Sequence, residues 1–235
     1  MNPELVLQQP CDYECAFTTP DPLFESDEYC AQTKLDGVKL IIFSENGDLR
    51  GESRSGRGMK LSAKTRAFMP THGTFVVEGE QGDKSTGDTG FQAFDVISEN
   101  GEDVRHLCYA DRLAILATLG VPVIRTVYGA AAKRRLHVEV FANGGEGIVM
   151  KRLDAVYRPG KTSAQLKIKN WKSDTFRVTH VDGMGVELST MAGVPCGRCA
   201  GYANAGALVE VRFQEVTEAG KLRCPTIIGT REDLE

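Results

Sequence analysis

Residues 31–43 read AQTKLDGVKLIIF, and the two halves of this stretch pull in different chemical directions. The second half carries Val38, Leu40, Ile41, Ile42 and Phe43, the composition of a buried strand. Just upstream stand Lys34, Asp36 and Gly37, and Lys39 interrupts the apolar run. A free lysine has a pKa near ~10.4, so only about one amine in a thousand is nucleophilic near neutrality. Lowering that pKa by roughly three units costs about 4 kcal/mol, and desolvation beside an apolar strand and neighbouring cations both push that way. In extended chain Asp36 shares a face with Lys34, where a carboxylate can hold the amine or a metal-bound substrate. A surface salt bridge at a strand start fits the same spacing, and K-x-D-G alone does not choose between the two.

Working outward, strand patterns dominate. Asn46-Gly47 is a hairpin signal directly after the apolar run, and 73–81, 89–98, 146–153 and 163–171 read as further strands. Ser62 is a candidate N-cap for a short helix over 62–69. The strongest helix pattern covers 103–120, where Leu107, Leu113, Leu116 and Leu119 recur at helical spacing and Gly120 supplies a stop. A second helix is read over 130–143. Residues 1–30, with prolines at 3, 10, 20 and 22, read as a lead-in of loops and short pieces. After Trp171 the texture changes to short strands at turn-rich spacing, over 176–190, 206–217 and 221–230, which suits a small all-β barrel or sandwich. The expectation is an α+β protein with domains at 1–172 and 173–235.

Composition narrows the classes further. No window approaches 18 uninterrupted apolar residues, so no membrane span is expected. The N-terminus MNPELVLQQP has neither a basic n-region nor an apolar h-region, and a cytoplasmic location is the expectation. Seven cysteines include two close pairs, Cys11/Cys15 and Cys196/Cys199. PCGRC looks like half a zinc site, but no second pair completes four ligands, and free thiols are the better reading. The net charge of −4 hides an asymmetry. Every charged side chain before Lys34 is acidic, whereas Arg50, Arg54, Arg57, Lys60, Lys64 and Arg66 stand against Glu52 alone, and seven basic residues between 151 and 172 stand against Asp154. Such clusters are either solvated faces or local footprints for polyanions.

A Walker loop is absent: GESRSGRGMK has Arg57 where the lysine should be and no Ser or Thr after it. Any nucleotide must therefore be gripped by side chains. SRSGR offers Arg54 and Arg57, and LKIKNWK puts Lys167 and Lys169 on one face of a strand. Paired lysines on an edge strand also guard against aggregation. Glu80, in EGE, and Glu146, in EGIVMK, each stand beside a glycine at a strand end, and two carboxylates near phosphates suggest Mg²⁺.

Taken in order, these elements resemble the covalent nucleotidyltransferases, and within them the ATP-dependent DNA ligases. KLDGVK is similar to the K-x-D-G nucleophile motif, which implies that Lys34 is the adenylated lysine. SRSGR resembles the S-R-x-G segment, placing Arg54 near ribose and phosphates. VVEGE resembles D-G-E, giving Glu80 a ribose or metal role, and FQAFDVISENGE resembles F-D-x-x-x-x-N-G, whose Phe94 would pack on adenine. GGEGIVMK is similar to E-G-x-V-x-K, assigning Glu146 to metal and Lys151 to the α-phosphate region, and LKIKNW to K-x-K, with Lys167 and Lys169 on phosphates. Gln32 and Lys39 complete the implied nucleotide contacts, Gln32 standing where Glu is frequent and Lys39 where arginine is usual. Glu78 stands where aspartate is usual. Asp36 joins Glu80 and Glu146 as a candidate metal ligand. Arg50, Arg57, Lys60, Lys161 and Arg231 are the candidate DNA contacts. REDL, 231–234, resembles a terminal R-x-D-K motif that orients pyrophosphate, with Leu234 in place of Lys.

The resemblance implies a nucleotidyltransferase domain of antiparallel sheets with flanking helices, followed by an oligonucleotide-binding (OB) fold. It implies ATP and Mg²⁺ as cofactors, nicked double-stranded DNA as partner, a monomer, and no membrane. The chemistry implied is nick sealing through lysyl-AMP and AMP–DNA. No DNA-binding domain precedes the motifs, so a minimal phage-like or accessory bacterial ligase is expected. The rival readings are an RNA ligase or an mRNA-capping-type enzyme, which share K-x-D-G, and a non-catalytic nick-binding module.

Overall fold

The computed structural model describes residues 7–14, 21–82 and 90–231. It divides into two compact units, Met1–Lys169 and Asn170–Glu235. In chain order the first unit holds β1 (Gln8–Asp12), α1 (Pro22–Glu25), β2 (Tyr29–Thr33), β3 (Val38–Glu45), β4 (Asp48–Ser53), β5 (Gly58–Met59), α2 (Ala63–Phe68) and β6 (Thr74–Gln81). It continues with β7 (Phe91–Glu99), β8 (Glu102–Asp103), α3 (Tyr109–Thr118), β9 (Thr126–Val127), α4 (Ala130–Ala142), β10 (Gly147–Arg152) and β11 (Gly160–Lys169). The second unit holds β12 (Lys172–Asp182), β13 (Gly185–Ser189), β14 (Pro195–Cys199), β15 (Leu208–Phe213) and β16 (Thr226–Thr230). No helix among the described residues is long and apolar enough to cross a membrane.

The first unit is built from two sheets. One is antiparallel, in the order β5-β4-β3-β6-β7-β8. Its β3 is the apolar run of the sequence, and it is apolar on consecutive residues because both its faces are covered. Leu40 and Ile42 enter a core with Phe75, Val77, Phe91 and Leu116 of α3, while Ile41 packs on the other side with Leu7 and Ile97. The β3–β4 turn is the expected hairpin: Asn46 has φ 53° and Gly47 φ 93°, the left-handed pair such a turn requires.

The other sheet runs β1-β11-β10-β2-β9. Its pairs are antiparallel except β1 with β11, which is parallel and departs from the expected all-antiparallel arrangement. The lead-in read as loops thus contributes an edge strand. Pro10 sits in its middle, at a register shift between Pro10 and Cys11, which is the edge position that proline tolerates. On this sheet Leu136 and Val140 of α4 pack against Ala31, Ile148 and Met150. Lys133 of α4 is fully buried, its Nζ donating to Ser26 O at 2.6 Å and Tyr29 O at 3.2 Å. That clamp fixes the chain where it enters β2, the strand whose far end delivers Lys34.

The helix read over 103–120 is shorter than its leucine pattern. Asp103 accepts from the Arg105 N–H at 2.9 Å and Leu107 N–H donates to Val104 O at 3.0 Å, so the chain turns there and the helix begins at Tyr109. Local aspartate hydrogen bonding outcompetes the first helical turn. Ser62 does cap its helix, accepting from Thr65 N–H.

The second unit is one antiparallel sheet in the order β14-β13-β12-β15-β16. A parallel bridge between Ala200 and Thr226 links the residue after β14 to β16, so the two ends of the sheet meet. Phe176, Val178, Val186, Leu188, Val209 and Val211 fill its interior. Cys196 and Cys199 are buried there as thiols, donating to the carbonyls of Val194 and Ala200. Cys15 lies outside the described residues.

Candidate active site

Lys34 leaves the end of β2 beside a cavity of about 230 Å³ within the first unit. Its backbone N–H donates to Gly147 O at 2.8 Å. Gly147 has φ 144°, and a Cβ there would meet Ile168 O at 2.1 Å, so only glycine lets the β10 backbone approach β11 and still hold Lys34. The neighbour of that glycine, Glu146, forms an ion pair with Lys34 Nζ. The E-G dipeptide therefore positions the lysine twice, once through each residue. Glu146 thus holds the amine, one of the two roles, with that of holding a metal-bound substrate, that the spacing offered to Asp36. Asp36 is half-buried and is not among the residues lining the cavity.

Glu80 of β6 faces the same lysine. Burial pushes its carboxyl up to about 7, the Lys34 charge and the Gly37 N–H pull it down, and Glu146 raises it. Two carboxylates thus share the surroundings of one amine. Lys39 of β3 pairs with Glu78, donates to Gln8 O at 2.7 Å, and lies 5.6 Å from the Phe94 ring centroid. Glu78, 1% exposed, also accepts from Tyr157 OH at 2.8 Å, so this carboxylate joins Lys39 and Tyr157.

Phe94 and Lys151 form a second cluster. The Lys151 ammonium is 4.4 Å from the Phe94 centroid and 4.7 Å from that of Tyr109, and donates to Phe94 O at 3.1 Å. Burial lowers its pKa to about 8, with Asp95 and Glu78 pulling the other way. The Lys151 pKa lies below its unfolded value, so the folded protein is disfavoured while the unfolded chain alone holds the proton, and stability is regained as pH rises. Measured against Lys151→Met, wild-type stability should rise by roughly 2 kcal/mol between about pH 8 and about pH 10. Parallel curves in denaturant titrations across that range would show that the ammonium is not desolvated.

The remaining expected residues divide by placement. Gln32, Arg54, Lys167 and Lys151 line the cavity with Lys34 and Lys39. Arg54 donates to Gln9 Oε1 at 3.4 Å, and Lys167 lies 3.3 Å from Asp12. Lys169 pairs in register with Gly147, next to the Lys34 anchor, but does not line the cavity. Arg50 is paired with Glu52 and stacks 4.0 Å from the Phe43 centroid, while Arg57, Lys60 and Lys161 are exposed. Arg231 belongs to the second unit, donating to Leu208 O and, at 3.3 Å, to Thr175 Oγ1. Glu232, Asp233 and Leu234 of the terminal motif lie outside the described residues.

Sequence reading missed five contributors. Gln9 and Pro10 line the cavity because β1 pairs with β11, a contact that no local pattern announces. Tyr109 and Thr126 support Gln32, whose Nε2 donates to both hydroxyl oxygens at 2.9 Å. Gln165, also at the cavity, donates to Gln8 Oε1 at 2.8 Å.

The architecture is found in solved structures. One, described as a Lig E DNA ligase that binds DNA with a minimal scaffold, superposes with a TM-score of 0.72 at 20% identity, covering 96% of this chain and 99% of that one. The chain has the DNA ligase fold. The ligase domain of Mycobacterium tuberculosis LigD has the same fold, with a TM-score of 0.62 at 21% identity over 97% of this chain and 95% of that domain. In sequence, this ligase-fold chain is 27% identical over 173 residues to the multifunctional non-homologous end joining protein LigD of Mycolicibacterium smegmatis. It is 30% identical over 176 residues to the corresponding LigD of M. tuberculosis. These alignments cover 64% and 63% of this chain but 22% of each relative, so the chain spans about a fifth of the length of the curated relatives it matches. No protein-family model matches it.

Proposed function

We propose that this chain is an ATP-dependent DNA ligase that seals 5′-phosphate/3′-hydroxyl nicks in duplex DNA. The observation that carries the reading is Lys34, held by Glu146 and the Gly147 carbonyl beside a cavity that Lys39, Arg54 and Lys167 also line. An amine fixed among cations suits attack on a polyphosphate, where catalysis is mostly positioning and charge neutralisation. Lys34 Nζ would attack the α-phosphorus of ATP, forming an N–P bond as the bond to the β-phosphate oxygen breaks and pyrophosphate leaves. Glu146 is the acceptor within reach of the Nζ proton. The adenylate would pass to the 5′-phosphate of the nick, and the 3′-hydroxyl would then displace AMP as the strand is joined.

Phe94 would pack on the adenine, Lys151, Lys167 and Lys169 would neutralise phosphates, and Arg54 would reach ribose and phosphate. The described residues hold no group of three or more His, Cys, Asp or Glu side chains able to hold a metal. Glu80 and Glu146 nevertheless fit Mg²⁺, which takes one or two carboxylates and completes its shell with substrate oxygens. The raised Glu80 pKa marks a carboxylate that a cation would stabilise. When bound, the ion would neutralise charge on the phosphates.

We further propose that 1–172 acts as the adenylation domain and 173–235 as an OB-fold domain, a reading supported by the closed five-stranded sheet. Exposed Arg57, Lys60 and Lys161, with Arg50 and Arg231, would meet the DNA backbone. The relatives' names connect LigD with end joining, and the Lig E description connects this scaffold with DNA. The test is sealing of a nicked DNA duplex beside a nicked RNA duplex of the same sequence. Sealing of the DNA nick with ATP is the expected result; a strong preference for RNA would replace the reading with that of an RNA ligase.

A further inference from the structure

A glutamine at a ligand cavity poses a problem that a glutamate does not. Its amide can present an acceptor or, turned over, a donor pair. Gln32 is 1% exposed, on β2, which runs between β10 and β9, and lines the cavity. Its Nε2 meets two hydroxyl oxygens, Tyr109 OH from α3 and Thr126 Oγ1 from β9, each at 2.9 Å. Thr126 is its direct cross-strand partner in register, so the two side chains share one face of the sheet.

The protons of both hydroxyls are committed elsewhere. Tyr109 OH donates to Phe94 O at 2.8 Å, and Thr126 Oγ1 donates to Ile124 O at 3.2 Å. Carbonyl oxygens only accept, so these bonds can run in one direction alone. Each hydroxyl oxygen is then left as an acceptor, and each requires a donor from Gln32. An amide turned over would set Oε1 against two acceptors and leave its buried N–H groups without these partners.

We infer that Tyr109 and Thr126 are positioning residues that lock the Gln32 amide with its oxygen available to the ligand, so that the site selects a 6-amino purine over a 6-oxo purine. The inference rests on the nucleotide-binding reading proposed above. A carbonyl acceptor receives a hydrogen bond from an exocyclic amino group and repels a ring carbonyl. A glutamate would discriminate through its own chemistry; Gln32 does so through two hydroxyls whose protons are already spent.

The test compares covalent labelling of the full chain by α-labelled ATP and α-labelled GTP, read as the ratio of kcat/KM values. Tyr109→Phe with Thr126→Val removes both acceptors at nearly constant volume and frees the amide to turn its donors toward the ligand. The ATP-to-GTP ratio should fall about tenfold or more. Thr126→Ser should keep the wild-type ratio. Adding Gln32→Glu to the double variant should restore the preference, because a carboxylate accepts in either orientation, and a merely structural defect would not be repaired in this way. If the double variant does not fold, Thr126→Val alone carries the test, with a smaller fall in the same direction. An unchanged ratio in the folded variants, or no restoration by Gln32→Glu, overturns the inference while leaving the ligase reading intact. A wild-type protein labelled by neither nucleotide overturns both.

Discussion

Lys34→Ala is expected to lose covalent labelling by ATP and, with it, sealing of an ordinary nick, by a factor on the order of 10⁴ or more. Lys34 combines an ion pair from Nζ to Glu146 with a backbone hydrogen bond to Gly147 O beside the cavity. Lys39 is engaged by Glu78 and the Gln8 carbonyl, and Lys151 by the Phe94 carbonyl between two rings. The loss should be specific to one step. Supplied with a nick whose 5′-phosphate already carries AMP, Lys34→Ala should still join the strands, since the 3′-hydroxyl is then the nucleophile. Failure on that pre-adenylated nick would assign Lys34 a role in binding DNA instead. The fold should barely register the change, because Lys34 lies at the end of a strand and is not part of a hydrophobic cluster.

The second large effect is on stability and sits behind the site. Asp95 and Arg112 are each 1% exposed and form a two-pronged pair, with Nε to Oδ1 at 2.7 Å and Nη2 to Oδ2 at 3.1 Å. Arg112 also donates to Leu107 O at 2.7 Å and Ala155 O at 3.3 Å, tying α3 to two loops. Asp95→Ala leaves a guanidinium buried without its counter-charge and should cost about 3–5 kcal/mol. For a unit of this size that corresponds to roughly 10 °C in melting temperature. Replacing both partners together, with Asp95→Val and Arg112→Met, should cost much less, since no charge is then stranded. Equal losses in the single and double variants, measured by thermal and denaturant unfolding, would show that the pair contributes through packing alone. The location makes the effect functional as well: Asp95 follows Phe94, and Tyr109, one turn before Arg112, supports Gln32.

Much of this architecture was legible along the chain, for identifiable reasons. Local chemistry announced the β3–β4 hairpin, because Asn46 and Gly47 supply the left-handed geometry that the turn needs. The run at 38–43 read as a strand because both its faces are buried. Lys34, Glu80 and Glu146 were legible as a group only through the order of their motifs, and the structure brings them together around one amine. What sequence could not announce was long-range pairing. Strand β1 carries a proline and pairs with residues far along the chain, so neither periodicity nor turn chemistry marked it. Its Gln9 and Pro10 reached the cavity unheralded. The role of Tyr109 was hidden in a helix pattern dominated by leucines, and that of Thr126 in a strand of two residues. Asp36 is the opposite case. Its spacing from Lys34 suggested a partner, but the chain bends after β2, and Glu146 holds the amine.

The central claim is that Lys34 carries an adenylate. The most direct measurement is mass spectrometry of the protein after incubation with ATP and Mg²⁺, followed by proteolysis and sequencing of the modified peptide. One added adenylate is expected, on the peptide carrying Lys34 and on that residue. An adenylate on a different lysine, or a protein that stays unmodified while nicked DNA is sealed, would contradict it.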